Sequence, residues 1–122
     1  MKDELIKRNE IFKYVKDKYD TEPEYLWSKY PGYAVLRHKS NNKWYGVIIN
    51  VPKEKLGLEG KEEIDIIDLK NYPELIGTLR NKKEIIPAYH MNKEHWVSVI
   101  LNGEFPEKEL FDLIDLSYEI TK

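Results

Sequence analysis

The sequence predicts an α+β fold in which a mainly antiparallel four-stranded sheet and its packed helices form a two-layer sandwich. Apolar residues recur at helical spacing near both ends of the chain. Most of the β-rich segments lie between these ends, separated by turn-forming or polar stretches. The chain has 122 residues, which suits one hydrophobic core, so we assign residues 1–122 to a single domain. The predicted element order is α-β-β-β-α-β-α.

The two terminal helices are predicted from their apolar stripes. The first spans residues 3–19, and its stripe consists of Leu5, Phe12, Val15 and Tyr19. The last begins at Pro106 and ends near residue 120, because proline favours the first helical position. Its stripe consists of Leu110, Leu113, Ile114, Ser117 and Tyr118. We expect the acidic residues of this helix to face mostly water; they are Asp112, Asp115 and Glu119.

The strands are predicted from β-rich composition and turn signals. Residues 33–38 and 43–51 form a hairpin around the turn Ser40-Asn41-Asn42. The second of these strands is apolar on both sides, which predicts a central position in the sheet. Gly46 interrupts it, where we expect another chain segment to pass close. Residues 64–69 and 96–101 form the third and fourth strands, with a short helix over 73–80 and a connector over 81–95.

Composition excludes several classes of protein. The 20 basic and 22 acidic residues give a net charge of −2, so the whole molecule is not a strongly basic nucleic-acid binder. The absence of cysteine excludes disulfides, thiolate catalysis and cysteine-ligated metals. No apolar run reaches the roughly 20 residues that span a bilayer, and the N-terminus lacks the apolar core of a signal peptide. We therefore expect a cytoplasmic protein with no membrane partner.

Charge is distributed unevenly along the chain. Residues 34–55 carry five cations against the single carboxylate Glu54, a local net charge of +4. Those cations are Arg37, Lys39, Lys43, Lys53 and Lys55. Residues 96–122 carry two cations and six carboxylates, a local net charge of −4. Either the lysines of the hairpin block edge-to-edge pairing of strands, or the hairpin is a wing that contacts phosphates.

The connector over residues 20–33 is rich in aromatic side chains. Its large side chains are Tyr25, Leu26, Trp27, Tyr30 and Tyr33. Since most such rings bury their area, we expect the connector to pack on the domain. The alternative is an aromatic surface that faces a ligand.

The sequence contains no catalytic or metal-binding motif. The histidines are His38, His90 and His95, and nothing near the last two completes a zinc site. The chain lacks a G-x-S-x-G elbow, a phosphate-binding loop and a dinucleotide-binding glycine pattern. Its carboxylates lie on predicted solvent faces and are not held as pairs for acid–base catalysis. We therefore expect no enzymatic activity, no cofactor and no metal.

The segment 87–96, PAYHMNKEHW, is the densest in polar and aromatic side chains. In a structural interpretation, Asn92 caps a helical turn while neighbouring side chains fill the edge of the core. Those neighbours are Tyr89, Met91 and Trp96. In a functional interpretation, the segment is a polar-aromatic surface for a ligand or a nucleic-acid backbone. A small-molecule or metal site here would be lined by Tyr89, His90, Lys93 and His95.

This segment resembles the MmcQ/YjbR family. The resemblance rests on Pro87, Tyr89-His90-Met91-Asn92-Lys93, His95-Trp96 and residues 110–118, with looser agreement at Trp27 and Lys43-Trp44-Tyr45. It covers essentially the full chain and implies a CyaY-like α+β sandwich. A further fold similarity, to the double-wing domain of a phage transcription factor, implies DNA binding. No enzymatic activity defines the family, so no catalytic residues carry over.

Two functions compete at this point. In the leading hypothesis a DNA-binding hairpin contacts phosphates through Arg37, Lys39 and Lys43, and Asn41 or Asn42 reaches a groove. In the alternative, a protein- or peptide-interaction module uses exposed aromatic anchors. We expect these anchors to be Trp27, Tyr30, Trp44 and Tyr45. The sequence predicts neither a DNA target nor an oligomeric state.

Overall fold

The computed structural model describes the backbone of residues 2–122 and the side chains of residues 8–122. Its helices are α1 (Lys2–Tyr19), α2 (Pro73–Leu79) and α3 (Glu107–Ile120), with one 3-10 turn at Lys53–Leu56. Its strands are β1 (Ala34–Arg37), β2 (Trp44–Pro52), β3 (Glu63–Lys70), β4 (Ile85–Pro87) and β5 (Trp96–Ile100). Leu5, which belongs to the predicted stripe of the first helix, lies outside the described side chains.

The described residues form one antiparallel sheet of five strands in the order β1-β2-β3-β5-β4. This confirms the predicted α+β class and the central position of β2, which pairs with β1 and β3. The predicted number of four strands is wrong. The missed strand β4 lies inside the predicted connector and pairs with β5 from Ile85↔Val99 to Pro87↔Val97. Three residues are too few for a periodic signal, so β4 exists because β5 offers it a backbone partner.

One face of the sheet is covered by the helices. Ile11 and Val15 of α1, Ile76 of α2, and Leu110 and Ile114 of α3 all belong to one buried cluster. The strand residues of this cluster are Ala34, Leu36, Tyr45, Ile48, Ile67, Leu69, Ile85, Val97 and Val99. The predicted stripe of α1 omitted Ile11, which is fully buried.

The other face of the sheet is covered by loops. Its buried strand residues are Val35, Val47, Ile49, Val51, Ile64, Ile66 and Ile100. The half-buried side chains that pack against them are Trp27, Tyr33, Trp44, Leu56, Leu58, Ile86 and Tyr89. Most of these come from connectors rather than from regular elements. This loop-covered face carries the candidate site.

Gly46 is the third residue of β2 and lies directly opposite Leu36 of β1. A Cβ atom at this position would lie 3.2 Å from Leu36 Cδ1, which is closer than normal van der Waals contact. The glycine therefore leaves room for the neighbouring strand's side chain, in agreement with the predicted close approach.

The carboxylate of Asp115 joins α1 to α3. It accepts hydrogen bonds from Tyr14 Oη at 2.9 and 2.7 Å, from Tyr19 Oη at 2.6 Å and from Lys18 Nζ at 2.9 Å. Burial opposes its ionisation, but the three donors outweigh burial and lower the pKa of Asp115. The expectation that this side chain faces mostly water is therefore wrong, because α1 docks beside it.

Candidate functional site

A cavity of about 270 Å³ opens on the loop-covered face of the sheet. We call it the aromatic pocket. Its lining residues are Trp27, Tyr30, Tyr33, Trp44, Val47, Ile49, His90 and Met91. They come from three separate parts of the chain, which are the aromatic connector, strand β2 and the turn over residues 88–95. Strand β2 supplies the floor, and the connector and the turn supply the walls.

Backbone hydrogen bonds hold the connector against the sheet. Glu24 and Val35 exchange two of them, at 3.0 and 2.8 Å, so that Glu24 pairs with the edge strand β1. Two tight turns follow, with Tyr30 N donating to Trp27 O at 3.1 Å and Tyr33 N donating to Tyr30 O at 3.0 Å. These turns bring the rings of residues 27, 30 and 33 to one side of the loop.

The prediction that the connector packs on the domain is correct for part of its side chains. Trp27 and Tyr33 are half-buried and pack on the second apolar cluster. Tyr25, Leu26 and Tyr30 remain 54%, 45% and 50% exposed. The connector therefore combines a packed layer, formed by Trp27 and Tyr33, with an exposed edge formed by Tyr25, Leu26 and Tyr30.

The rings of the pocket support one another in fixed orientations. Trp27 meets Trp44 edge to face, with ring centroids 5.8 Å apart and planes at 89°. It meets Tyr33 at 6.0 Å and 75°. Tyr30 stacks on Tyr33 at 4.8 Å and 16°. An aromatic ring has a negative face and a positive edge. The pocket therefore presents both ring faces and ring edges at its surface.

Of the predicted aromatic anchors, Tyr45 takes no part in the pocket. It is fully buried on the helix-covered face, and its hydroxyl donates to Thr21 Oγ1 at 2.7 Å. A β-bulge explains the difference, because Leu36 pairs with Gly46 and Arg37 pairs with Trp44, which leaves Tyr45 as the extra residue of β2 and interrupts the alternation. Trp44 lies on the loop-covered face and Tyr45 lies on the other.

The 88–95 turn contributes His90 and Met91 to the pocket wall. Asn92 Oδ1 accepts from the backbone N–H groups of Glu94 at 2.8 Å and His95 at 3.2 Å, which is the geometry of a cap. His90 adopts a left-handed backbone with φ of 63°. Of the other predicted residues of this turn, Lys93 and His95 are exposed, whereas Tyr89 and Trp96 are half-buried.

Beneath this turn lies a buried carboxyl group that the sequence-based prediction missed. Asp68 of β3 is fully buried and directly faces Val47 of β2 and Ser98 of β5. Ser98 Oγ donates to Asp68 Oδ1 and accepts from the backbone N–H of Tyr89 at 2.9 Å. Among residues 8–122 the second oxygen, Oδ2, has no donor. The available signal was an aspartate inside the apolar run IDIIDL.

The surroundings of Asp68 favour its neutral form. Burial raises its pKa to about 7, against the opposing effects of the Ser98 hydrogen bond, the Tyr89 backbone and the positive charge of Lys93. This carboxyl group is therefore poised to change charge close to neutral pH.

The predicted DNA-contacting residues of the hairpin are largely engaged within the molecule. Arg37 makes two hydrogen bonds to the Glu24 carboxylate, at 2.9 and 2.6 Å. Lys39 Nζ lies 2.7 Å from Asp20 Oδ2. The local charge of +4 counted neighbours in sequence, whereas these carboxylates come from the preceding connector.

The tip of the hairpin carries the remaining predicted contacts. Asn41 donates to Thr121 O at 3.1 Å and accepts from the Lys43 backbone N–H at 2.8 Å. Asn42 is exposed in a left-handed conformation with φ of 63°. Lys43 is exposed and has no ion pair among residues 8–122.

The histidines do not converge. His38 is buried with its Nε2 atom 2.8 Å from Thr121 Oγ1, and burial lowers its pKa. His90 and His95 are exposed. Within the described part of the chain, no group of three histidine, aspartate or glutamate side chains could hold a metal ion. The described helices also include none that is long and apolar enough to cross a membrane.

Fold and site together define a small α+β domain with helices on one face of its sheet and an aromatic pocket under loops on the other. The chain belongs to the YjbR family, whose sequence profile matches residues 16–120. This confirms the resemblance found in the sequence.

Curated relatives and solved structures agree with this assignment. The uncharacterized protein YyaQ of Bacillus subtilis (strain 168) is 55% identical over 118 residues, 97% of this chain and 100% of that protein. The uncharacterized protein YjbR of Escherichia coli (strain K12) is 32% identical over 65% of this chain and 69% of its own length. A crystal structure of a protein from Pseudomonas syringae superposes with a TM-score of 0.91 and 50% identity, covering 94% of this chain and 98% of that one. A Deinococcus radiodurans protein, 24% identical with a TM-score of 0.68 over 92% of this chain and 76% of that one, shares the fold.

Proposed function

We propose that this protein is a non-enzymatic interaction module that binds an extended peptide segment of a partner protein and takes one large apolar side chain into the aromatic pocket. The observation that carries the proposal is the pocket itself, which presents two indoles and two phenols around an apolar floor. Its volume of about 270 Å³ lies just below the roughly 300–1,000 Å³ of typical small-molecule sites. One phenylalanine or leucine side chain suits this space better than a cofactor does.

The surface around the pocket supports an extended occupant. Trp27 also lines an open groove with the exposed side chains of Tyr25 and Leu26. On another side, Tyr30 lines a second groove that reaches Glu63 at the start of β3. Since both grooves share a residue with the pocket, a peptide anchored there would continue along them on either side. Aromatic side chains with partly exposed rings are typical hot spots of such interfaces.

The charged side chains around the pocket determine which residues the peptide should carry on either side of its anchor. Lys29 precedes Tyr30, Lys43 precedes Trp44, and Lys93 follows Met91 by two residues. All three lysines are exposed and have no ion pair among residues 8–122. The single carboxylate that lines the adjoining groove is Glu63. We therefore expect the bound segment to carry acidic residues beside its apolar anchor.

The absence of enzymatic activity belongs to the same proposal. Ser98 lies beneath the turn that forms one pocket wall, and it is fully buried with its hydroxyl engaged by Asp68 and Tyr89. His90 lines the pocket and packs against the Tyr89 ring, with centroids 4.0 Å apart, but no hydrogen bond joins its ring to a serine or threonine hydroxyl among residues 8–122. The arrangement that activates a serine nucleophile requires such contact with a base.

DNA binding by the hairpin stays a prediction. Its support in the structure is the exposed tip with Asn42 and Lys43. Its weakness is that Arg37 and Lys39 would have to leave Glu24 and Asp20 before they could contact phosphates. Peptide binding needs no such rearrangement, and we therefore prefer it.

The peptide proposal can be tested by NMR titration of the ¹⁵N-labelled protein. The probe is a blocked pentapeptide with phenylalanine between two glutamates on each side. We expect shifts at the pocket residues and a dissociation constant of roughly 1–10 millimolar, since one buried aromatic side chain contributes about 2–3 kcal/mol and the flanking charges add to it. Replacing phenylalanine by alanine in the peptide should weaken binding by about tenfold or more. Lysine in place of glutamate should also weaken it.

Tyr30→Ala and Tyr72→Ala form a matched pair of protein variants. Both tyrosines are about half exposed, at 50% and 45%, but Tyr72 stands at the start of α2, outside the pocket. Tyr30→Ala should weaken peptide binding several-fold and Tyr72→Ala should leave it unchanged. The proposal is wrong if the two variants bind alike or if the shifts map away from the pocket.

A further inference from the structure

The buried carboxyl group of Asp68 is connected to the wall of the aromatic pocket by two hydrogen bonds. The Ser98 hydroxyl donates to Asp68 and receives the backbone N–H of Tyr89 at 2.9 Å. The next two residues, His90 and Met91, line the pocket. Val47 of β2 pairs with Asp68 on the neighbouring strand β3 and forms part of the pocket floor. The carboxyl group and the cavity are therefore separated by one side chain.

The turn that carries this wall is under conformational strain. His90 has φ of 63°, a left-handed conformation that residues with a Cβ atom adopt at a cost. Such a conformation persists where surrounding contacts enforce it. The Tyr89 N–H bond to Ser98 is the contact immediately before the strained residue.

Few groups compensate a charge on Asp68. Its cross-strand neighbours, Val47 and Ser98, are uncharged. The turn above contributes the Tyr89 backbone and the positive charge of Lys93, which both favour ionisation but are outweighed by burial. The same turn carries the imidazole of His90. Oxygen Oδ2 has no donor among residues 8–122. An ionised Asp68 would therefore hold a buried charge with one oxygen unsatisfied, which is costly unless water enters.

We infer that Asp68 is a positioning residue of the aromatic pocket, whose neutral form holds the 88–95 turn closed and whose ionised form releases it. On ionisation, water reaches Oδ2 by displacing the turn outward, and His90 and Met91 leave the pocket wall. The proton goes to solvent and no covalent bond changes. What the pocket then binds or releases rests on the proposed peptide function, whereas the motion itself does not.

The direction of the pH effect follows from the burial of this group. Because burial raises the pKa of Asp68 to about 7, the neutral form predominates below that pH and the ionised form above it. The closed pocket is therefore the state at mildly acidic pH. Between pH 6 and pH 8 its fraction falls from about 90% to about 10%, which weakens binding about ninefold if only the closed state binds.

The ligand-free protein provides the first test, by NMR between pH 5 and pH 9. We expect the ¹³C carboxyl signal of Asp68 to titrate near pH 7 and the amide signals of Tyr89, His90 and Met91 to move with the same midpoint. Hydrogen exchange at the Tyr89 amide should accelerate above that midpoint by more than base catalysis alone explains. Glu74→Gln removes an exposed carboxylate from α2, outside the pocket and its grooves, and should leave this behaviour unchanged. Since imidazoles change charge near neutral pH, the titration is repeated in His90→Gln.

Two variants separate positioning from simple support of the fold. Asp68→Asn should abolish the pH-dependent movement of the turn while leaving it closed. Ser98→Ala retains the carboxyl group but removes the bridge, so Asp68 should still titrate while the Tyr89 amide no longer follows it. The inference is overturned if the turn of the folded Asp68→Asn protein keeps its transition, or if Asp68 titrates below pH 5.

Titration with the glutamate-flanked phenylalanine peptide at pH 6 and pH 8 completes the experiment. We expect binding to weaken about ninefold at the higher pH in the wild type and to stay constant in Asp68→Asn. Movement of the turn without peptide binding at any pH would refute the proposed function alone. Peptide binding that is equal at both pH values, with a turn that does not move, would refute the positioning role alone.

Discussion

Asp65 and Asp68 are three residues apart in the same strand, yet their carboxylates have different hydrogen-bond partners on the two faces of the sheet. On the helix-covered face, Asp65 receives two hydrogen bonds from Arg8, at 2.9 and 2.8 Å, and one from Asn50 at 3.0 Å. On the loop-covered face, Asp68 has Ser98 beside one oxygen and nothing at the other among residues 8–122. Among residues 8–122 the Asp65 carboxylate is thus satisfied, whereas Asp68 keeps an unpartnered oxygen near a cavity and a residue with left-handed backbone. Departures of this kind concentrate where a protein acts.

The largest change in the free energy of unfolding should come from breaking the ion pair between Arg8 and Asp65. Asp65 is buried and Arg8 is half-buried, with side-chain exposures of 7% and 14%. Arg8→Ala leaves the Asp65 carboxylate without its counter-charge, so we expect a loss of about 3–5 kcal/mol in the free energy of unfolding, measured with urea. The exposed pair Lys13–Asp17 is the control, and Lys13→Ala should cost about 0.5 kcal/mol or less. Equal losses would mean that the helix-covered face gains nothing from this pair.

A smaller change in the free energy of unfolding, this time a gain, is expected when the unsatisfied carboxyl group of Asp68 is replaced. Folding raises the pKa of Asp68 from 3.8 to about 7, so the stability it contributes is complete below pH 3.8 and is lost as the pH rises to about 7. Asp68→Asn carries no charge to lose. It should equal the wild type near pH 4 and exceed its free energy of unfolding by about 2–4 kcal/mol at pH 8. An Asp68→Asn protein less stable than the wild type at pH 8 would show that the ionised carboxylate is satisfied after all.

Substitutions at two neighbouring residues of β2 test how much space each face of the sheet has for an added methyl group. Gly46→Ala places a Cβ atom 3.2 Å from Leu36 Cδ1 in the helix-covered core, and we expect a loss of about 1–3 kcal/mol. Val47→Ile adds one methyl group to the pocket floor, where space exists. It should cost less than about 0.5 kcal/mol in thermal unfolding and should weaken peptide binding. A large loss of stability in Val47→Ile would mean that the pocket is filled rather than open.

The smallest expected effect is the affinity of the hairpin for DNA. If Lys43 is the one hairpin cation available to a phosphate, log K for a mixed-sequence duplex should depend on log salt with a slope near −0.9, roughly one contact. Lys43→Glu should then abolish the residual binding in fluorescence anisotropy. A slope near roughly −2.7 would mean that Arg37 and Lys39 release their carboxylates for DNA, and would favour the hairpin hypothesis over the peptide proposal.

Local patterns in the sequence determined most of the fold. The helices near both ends, the β1–β2 hairpin and the central position of β2 follow from periodicity and turn residues, which act over a few neighbouring positions. Strand β4 was not predictable in this way, because two isoleucines before a proline carry no period and their strand conformation depends on pairing with β5. The sequence also identified the 88–95 turn as distinctive, and that turn does form part of the pocket wall.

Only the tertiary structure decided which side chains meet. The pocket joins residues 27–33, 44–49 and 90–91, and no local signal places these segments together. The same is true of the ion pairs of Arg37 and Lys39, whose partners Glu24 and Asp20 precede them in the chain by 13 and 19 residues. Alternation along β3 predicts that Asp65 and Asp68 face opposite sides. That one carboxylate finds an arginine and the other a single hydroxyl depends on what each face of the sheet packs against, which is a property of the folded chain.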